Sequence, residues 1–154
     1  MIEVMEIKDL DAVLALEESL FTSRWTKEQF LYELNENEFS TLYILKENDE
    51  VLAYAGLWVL FERAEITVIG VKKECQRRGL GRKMMKFLLR QAVKAECDIV
   101  SLEVRPSNEK AINLYHSLGF ETIRVRKDYY QDNHEDCLEM MLALGGRNEE
   151  DFSD

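Results

Sequence analysis

Proline is all but missing from this 154-residue chain: Pro106 is its one example, and no linker or internal repeat divides the sequence. Those absences point to a single domain. Cysteine is scarce as well. Cys75, Cys97 and Cys137 stand far apart, form no CxxC pair and have no histidine at metal-ligand spacing. A metal site is therefore not expected, and buried or idle thiols in a reducing cytosol are. Neither His116 nor His134 comes with a nucleophile signature, which makes a catalytic cysteine the minor reading. No apolar run approaches the roughly 18–20 residues of a membrane span. The opening Met1-Ile2-Glu3-Val4-Met5-Glu6 lacks the basic start and apolar stretch of a secretory signal. A cytoplasmic protein with no membrane partner is expected. Positive charge is short overall too, and the net charge of −10 argues against nucleic-acid binding across the whole surface.

What is present suffices for a real core, since 46% of the residues are hydrophobic. Met1 to Glu6 reads as a first strand. Asp9 or Asp11 opens a helix bearing Leu10, Val13, Leu14 and the apolar positions up to Phe21. Thr26 with Gln29 has the form of a capping box, so a second helix should run from Lys27 to about Asn35. Ser40 to Lys46 and Val51 to Phe61 form a hairpin across a polar turn, and Glu65 to Val71 continues the sheet. A helix from Gly79 to about Glu96 follows. Asp98 to Val104 is a short strand stopped by Pro106, and Ser107 or Asn108 caps the next helix, which Gly119 closes. Phe120 to Lys127 and Cys137 to Leu144 are the last strands, separated by a polar, aromatic loop. This order predicts a mixed α/β sheet in one domain over residues 1–144. Residues 145–154 read as a frayed acidic tail.

The segment Gln76-Arg77-Arg78-Gly79-Leu80-Gly81-Arg82 lies between an apolar strand-like run and an amphipathic helix. A strand that turns through two glycines into a helix leaves backbone N–H groups unpaired at the helix start. Those donors and the positive end of the helix dipole suit a phosphate. Lys72, Lys73, Arg77, Arg78, Arg82, Lys83 and Lys86 add a basic patch fit for an anionic small ligand, a solvated helix face being the plainer reading.

These residues, with Ile69-Gly70-Val71, Leu102-Glu103-Val104-Arg105-Pro106-Ser107-Asn108 and Ala111 to Phe120, resemble the Gcn5-related N-acetyltransferase family over nearly the whole chain. Leu-Glu-Val-Arg with Ser-Asn, then Ala-x-x-Leu-Tyr with Gly-Phe, resembles its ribosomal-protein-alanine N-acetyltransferase branch. The resemblance implies one domain with a mixed, mostly antiparallel sheet flanked by helices. It also implies acetyl-CoA as donor and the N-terminal alanine of a basic small-subunit ribosomal protein as acceptor. Ile69, Gly70 and Val71 would pair with the cofactor's amides, Arg77, Arg78, Gly79, Leu80, Gly81 and Arg82 would hold its pyrophosphate, and Asn108 would hydrogen-bond it. Gly70 stands where the family more usually has alanine.

Glu103 falls inside a strand, where a carboxylate is expensive unless paired or useful. An α-amino group with a pKa near ~8 is mostly protonated at pH 7, and a placed carboxylate can remove that proton. By resemblance Glu103 is the general base; an edge-strand glutamate paired with Arg105 or exposed to water is the alternative. Tyr115 sits on a core-facing stripe, where it can be a packing residue. By resemblance it is the general acid that returns a proton to the leaving thiolate. Trp25, Tyr130, Glu135 and Asp136, with Tyr129 and His134, could line a slot for a peptide N-terminus, carboxylates attracting the amine. Transfer to a lysine side chain or small amine, and a non-catalytic acyl-CoA-binding module, are the competing functions.

Overall fold

Alternation decides which side of the sheet each strand residue serves. The computed structural model describes residues 1–21 and 24–154. Seven strands form one sheet: β1 (Ile2–Val4), β2 (Ser40–Glu47), β3 (Glu50–Leu60), β4 (Arg63–Val71), β5 (Ile99–Val104), β6 (Glu121–Arg126) and β7 (Cys137–Ala143), in the order β1-β2-β3-β4-β5-β7-β6. Along β2, Leu42 and Ile44 enter one buried cluster and Tyr43 and Leu45 the other; along β3, Tyr54 joins the first and Ala53, Ala55 and Leu57 the second. That period of two puts a core on both faces. On one face Leu10 and Val13 of α1 (Leu10–Leu20) and Phe30 of α2 (Lys27–Asn35) fill the first cluster. The other face carries α3 (Leu80–Lys94) and α4 (Glu109–Ser117). In α3 the buried Leu80, Met84, Met85, Leu88, Leu89 and Ala92 recur at helical spacing, and each large one contributes about 1.5–3 kcal/mol by leaving water.

Local chemistry sets the element ends. Thr26 and Gln29 form the expected capping box: the Gln29 N–H donates to the Thr26 hydroxyl at 3.1 Å, and the Thr26 N–H donates to the Gln29 amide oxygen at 2.7 Å. Asn48 and Asp49 both take positive φ (53° and 65°), the pair of left-handed residues that a tight two-residue hairpin between β2 and β3 requires. Gly119 takes φ 103° just past α4.

Part of the acidic tail expected to fray packs onto the domain. Glu149–Phe152 forms a 3-10 turn opened by a reciprocal Asn148–Asp151 cap. Phe152 is 2% exposed within the α3-side core. Arg90 of α3 donates to the Phe152 carbonyl at 2.5 Å, and Lys86 donates to the Ser153 carbonyl at 3.3 Å. One buried aromatic outweighs the repulsion of an acidic segment that has cations beside it.

The feature that makes the site is a split in the sheet. All neighbouring strands run antiparallel except β4 and β5, which pair in parallel from Arg63↔Ile99 to Ile66↔Leu102 and then part. At the same place the β3–β4 ladder shifts register, from Leu57↔Ile66 to Gly56↔Val68, leaving Thr67 as an extra residue. Such a bulge bends its strand. β4 beyond Ile66 and β5 beyond Leu102 therefore diverge around a gap.

Candidate active site

On β4 the Lys72 N–H donates to the Leu52 carbonyl at 2.8 Å, so Lys72 and, by alternation, Gly70 turn their backbone polar groups toward β3. Ile69 and Val71 turn theirs into the gap. There the Gln76 side chain donates to the Val71 carbonyl at 3.1 Å from the open side. The gap opens into a cleft of about 600 Å³ lined by Ile69, Gly70, Val71, Gln76, Gly79, Gly81, Arg82 and Asn108, with Lys110 and Tyr115.

The floor at one end is the start of α3. Gly79 lies in the left-handed region (φ 77°), and the first turn of the helix carries no acidic residue against its positive end. A Cβ on Gly79 would meet nothing within 4 Å, and one on Gly81 would meet Leu114 at 3.5 Å. The cleft thus offers unblocked main-chain N–H groups, a free strand edge and the Arg82 guanidinium. That donor set fits a long ligand with amides at one end and a pyrophosphate at the other.

The expected cofactor residues differ in what they present to the cleft. Gly70 lines the cleft, but its backbone polar groups face β3. Its lack of a side chain serves Tyr54, whose ring and hydroxyl would lie 2.6 Å from a Cβ there. Arg78 is turned away to Glu47 at 2.6 Å, and Lys72 pairs with Glu50, so the basic patch is smaller than its residue count. Leu80 buries its side chain in the core and can offer only backbone, and Arg77 does not line the cleft. Arg82 donates to the Ser117 hydroxyl at 2.8 Å while lining the cleft. The Asn108 side-chain oxygen caps α4 by accepting from the Ala111 N–H at 3.4 Å, leaving its side-chain amide hydrogens as donors. Gln76 and Lys110 were missed. Gln76 opens the glycine segment and Lys110 sits in the first turn after Asn108, so position next to a motif was the available signal.

A second cleft of about 230 Å³ adjoins the first, sharing Phe21, Ile69, Arg105, Asn108 and Tyr115 with it. Glu103, Tyr115, Trp25 and Tyr130 line it, with Glu17 and Phe21. Tyr115 lines both clefts. Burial pushes its phenol up to about 12, so it keeps its proton through the neutral range and can donate it. Glu103 is exposed to water and does not pair with Arg105. Arg126 of β6 approaches it at 3.7 Å, and the Cys137 thiol donates to it at 3.6 Å. Burial raises the Cys137 thiol above the ordinary range, which keeps it protonated and a poor nucleophile.

Glu135 and Asp136, expected to meet the acceptor amine, are spent inside the protein. Glu135 accepts from the Ser107 N–H at 2.9 Å and the Asn133 amide at 3.0 Å, and pairs with Arg105 at 3.4 Å. Asp136 accepts from the Asp128 N–H at 3.0 Å and from Lys127 at 3.2 Å. They fasten the 128–136 loop. Arg105 completes the fastening: it pairs with Asp132 at 3.0 Å and lies 3.8 Å above the Tyr130 ring, which holds that ring as a wall of the second cleft. Tyr129 packs edge-on against Tyr130, and His134 bonds Asp128 at 2.9 Å away from the cleft. Among the described residues no His, Cys, Asp and Glu gather to hold a metal ion, and no helix is long and apolar enough to cross a membrane.

Comparison with known proteins gives the same architecture. The acetyltransferase (GNAT) family profile matches residues 10–120. A Bacillus subtilis protein named putative ribosomal protein bS18-alanine N-acetyltransferase is 35% identical over 140 residues, covering 91% of this chain and 93% of its own. The Escherichia coli K12 ribosomal protein bS18-alanine N-acetyltransferase is 33% identical over 145 residues, covering 93% and 97%. The crystal structure of the ribosomal-protein-S18-alanine N-acetyltransferase from Escherichia coli superposes with a TM-score of 0.86 at 32% identity, over 94% of this chain and 93% of that one. A parted sheet opening onto an acid-free helix start, in a chain matched almost end to end by these enzymes, places the protein in the GNAT family of acetyltransferases.

Proposed function

We propose that this protein is a cytoplasmic N-α-acetyltransferase that moves an acetyl group from acetyl-CoA to the N-terminal alanine of a small-subunit ribosomal protein. One observation carries the reading: Tyr115 stands where the two clefts meet, and Glu103 lines the acceptor side of that junction. Acetyl-CoA, the family's cosubstrate, supplies an activated acyl group and a thiol leaving group. The residues do the rest. Glu103 takes the proton of the arriving ammonium, directly or through water, and leaves a nucleophilic amine. The N–H groups of Ile69 and Val71 face the gap, where they can meet the charge that develops on the carbonyl oxygen. Tyr115 gives its proton to the departing sulfur. A covalent acetyl-enzyme is not needed, in keeping with three buried thiols, of which burial raises Cys97 and Cys137 above the ordinary range. The names of the full-length relatives support the alanine terminus as acceptor. The free thiols suit a reducing compartment.

Purified protein should acetylate an alanine-initiated basic peptide at its α-amine, read by mass spectrometry. The same peptide with a blocked terminus and free lysines should stay unmodified. Glu103→Gln and Tyr115→Phe should each lower kcat by about 10²–10⁴ and leave acetyl-CoA binding intact by calorimetry. Modification of the blocked peptide at comparable rate would move the acceptor to lysine. Full turnover by both variants would remove the assigned base and acid.

A further inference from the structure

Glu17 is a buried carboxylate that the transfer chemistry does not use. It lies on α1 at 2% exposure and lines the acceptor cleft. Both of its oxygens are engaged. One accepts from the Tyr54 hydroxyl, and the other accepts from the Trp25 backbone N–H at 2.7 Å. Burying a carboxylate is costly unless such bonds are made, so the three residues hold one another. Tyr54 comes from the middle of β3 and reaches Glu17 by crossing the face of β4 at Gly70, where any side chain would strike its ring. The Tyr54 ring also meets Phe30 edge-on at 6.3 Å, and Phe30 meets Trp25 at 5.0 Å. A continuous set of contacts therefore runs from the donor strand, between Ile69 and Val71, to the Trp25 wall of the acceptor cleft.

We infer that Tyr54 and Glu17 are positioning residues: through the Glu17–Trp25 bond they fix the acceptor wall, and through Gly70 they keep that wall aligned with the strand that faces the donor. This deepens the proposed acetyl transfer and rests on that reading. The physical direction of failure is clear. If the Tyr54 hydroxyl is removed, Glu17 loses one of its donors. A buried charge short of a donor moves toward water, and the water nearest it is in the cleft it lines. Trp25, bonded to the other oxygen, moves with it. The Tyr54 hydroxyl is thus coupled to acceptor affinity without touching the acceptor.

Tyr54→Phe is the first test because it keeps the ring under Gly70 and removes only the hydroxyl. The KM for an alanine-initiated peptide should rise roughly tenfold, the size expected for losing a bond to a charged group. The kcat should change less than about threefold, on the scale of a small barrier change, with the KM for acetyl-CoA unchanged. Glu17→Gln, which cannot accept at both positions, should show the same split. A readout without turnover uses the two tryptophans. In a Trp58→Phe background the emission of Trp25 should shift to the red, and its quenching by acrylamide should increase, when Tyr54→Phe is added. A folded Tyr54→Phe protein with unchanged Trp25 emission overturns the inference. A fall in kcat at constant peptide KM overturns it too. Should the parent protein acetylate no peptide at all, the acceptor assignment fails separately, and the Trp25 emission still decides whether Tyr54 and Glu17 hold that wall.

Discussion

At Gly70 a hydrogen in place of a methyl lets the Tyr54 ring cross β4, whereas the family resemblance implied a cofactor contact for that glycine. Gly70→Ala should destabilise the fold by about 1–3 kcal/mol, the usual size of overpacking, measured by urea unfolding. In a Tyr54→Leu background the ring atoms that crowd the new methyl are gone, and the added penalty should vanish. An equal penalty in both backgrounds would show that something other than the ring resists the methyl. Glu135 and Asp136 were misread for a related reason. Sequence displays a carboxylate's charge but not its partners, and here Ser107, Asn133, Arg105, Asp128 and Lys127 come from both near and distant positions. Thr26 and Gln29 were read correctly because their partners are three residues apart.

Two elements carry most of the site's geometry, and each makes its own prediction. In α3, Gly81 faces the donor cleft, yet a methyl there meets protein only at ordinary contact distance. Gly81→Ala should leave the fold as stable or up to about 1 kcal/mol more so, since alanine suits a helix better. The methyl should weaken acetyl-CoA binding, read by calorimetry, because it takes room beside the main-chain donors. The 128–136 loop responds to acid. The Asn133 amide, Ser107 and Arg105 hold the Glu135 carboxyl well below its usual range, at about 2. Because the folded value is depressed, the anchor is fully present above the ordinary carboxylate pKa of about 4.3. It is lost as pH falls through the folded value. The Ser107 amide resonance should therefore titrate near pH 2 in the native protein, and not at all in Glu135→Gln. A midpoint near 4 in the native protein would mean that the anchor does not form.

For the whole molecule, the legible part of the fold was what local pattern dictates: the strands, the helices, the glycine segment and the mixed sheet. The parting of β4 from β5 leaves no local signal, because the bulge at Thr67 has no distinguishing composition. The tail escaped because one phenylalanine among acids carries little weight in a composition argument and much in a core. Phe152→Ala should lower stability by about 3–5 kcal/mol in urea unfolding, as for other buried aromatics, and leave the KM for the acceptor peptide unchanged. A loss under 1 kcal/mol would return the segment to the frayed state first expected.

The split sheet has a bearing on self-association. Unpaired strand edges invite other chains, and proteins blunt them by shortness, bulges and charge. The outer edges here follow that rule: β1 spans three residues, and β6 is bulged near Ile123 and carries Arg124 and Arg126. The inner edge at Ile69 and Val71 needs no such guard, because a foreign sheet cannot enter a crevice between two strands of the same chain. Concentrated protein can thus keep its most receptive backbone ungated without seeding intermolecular β-pairing.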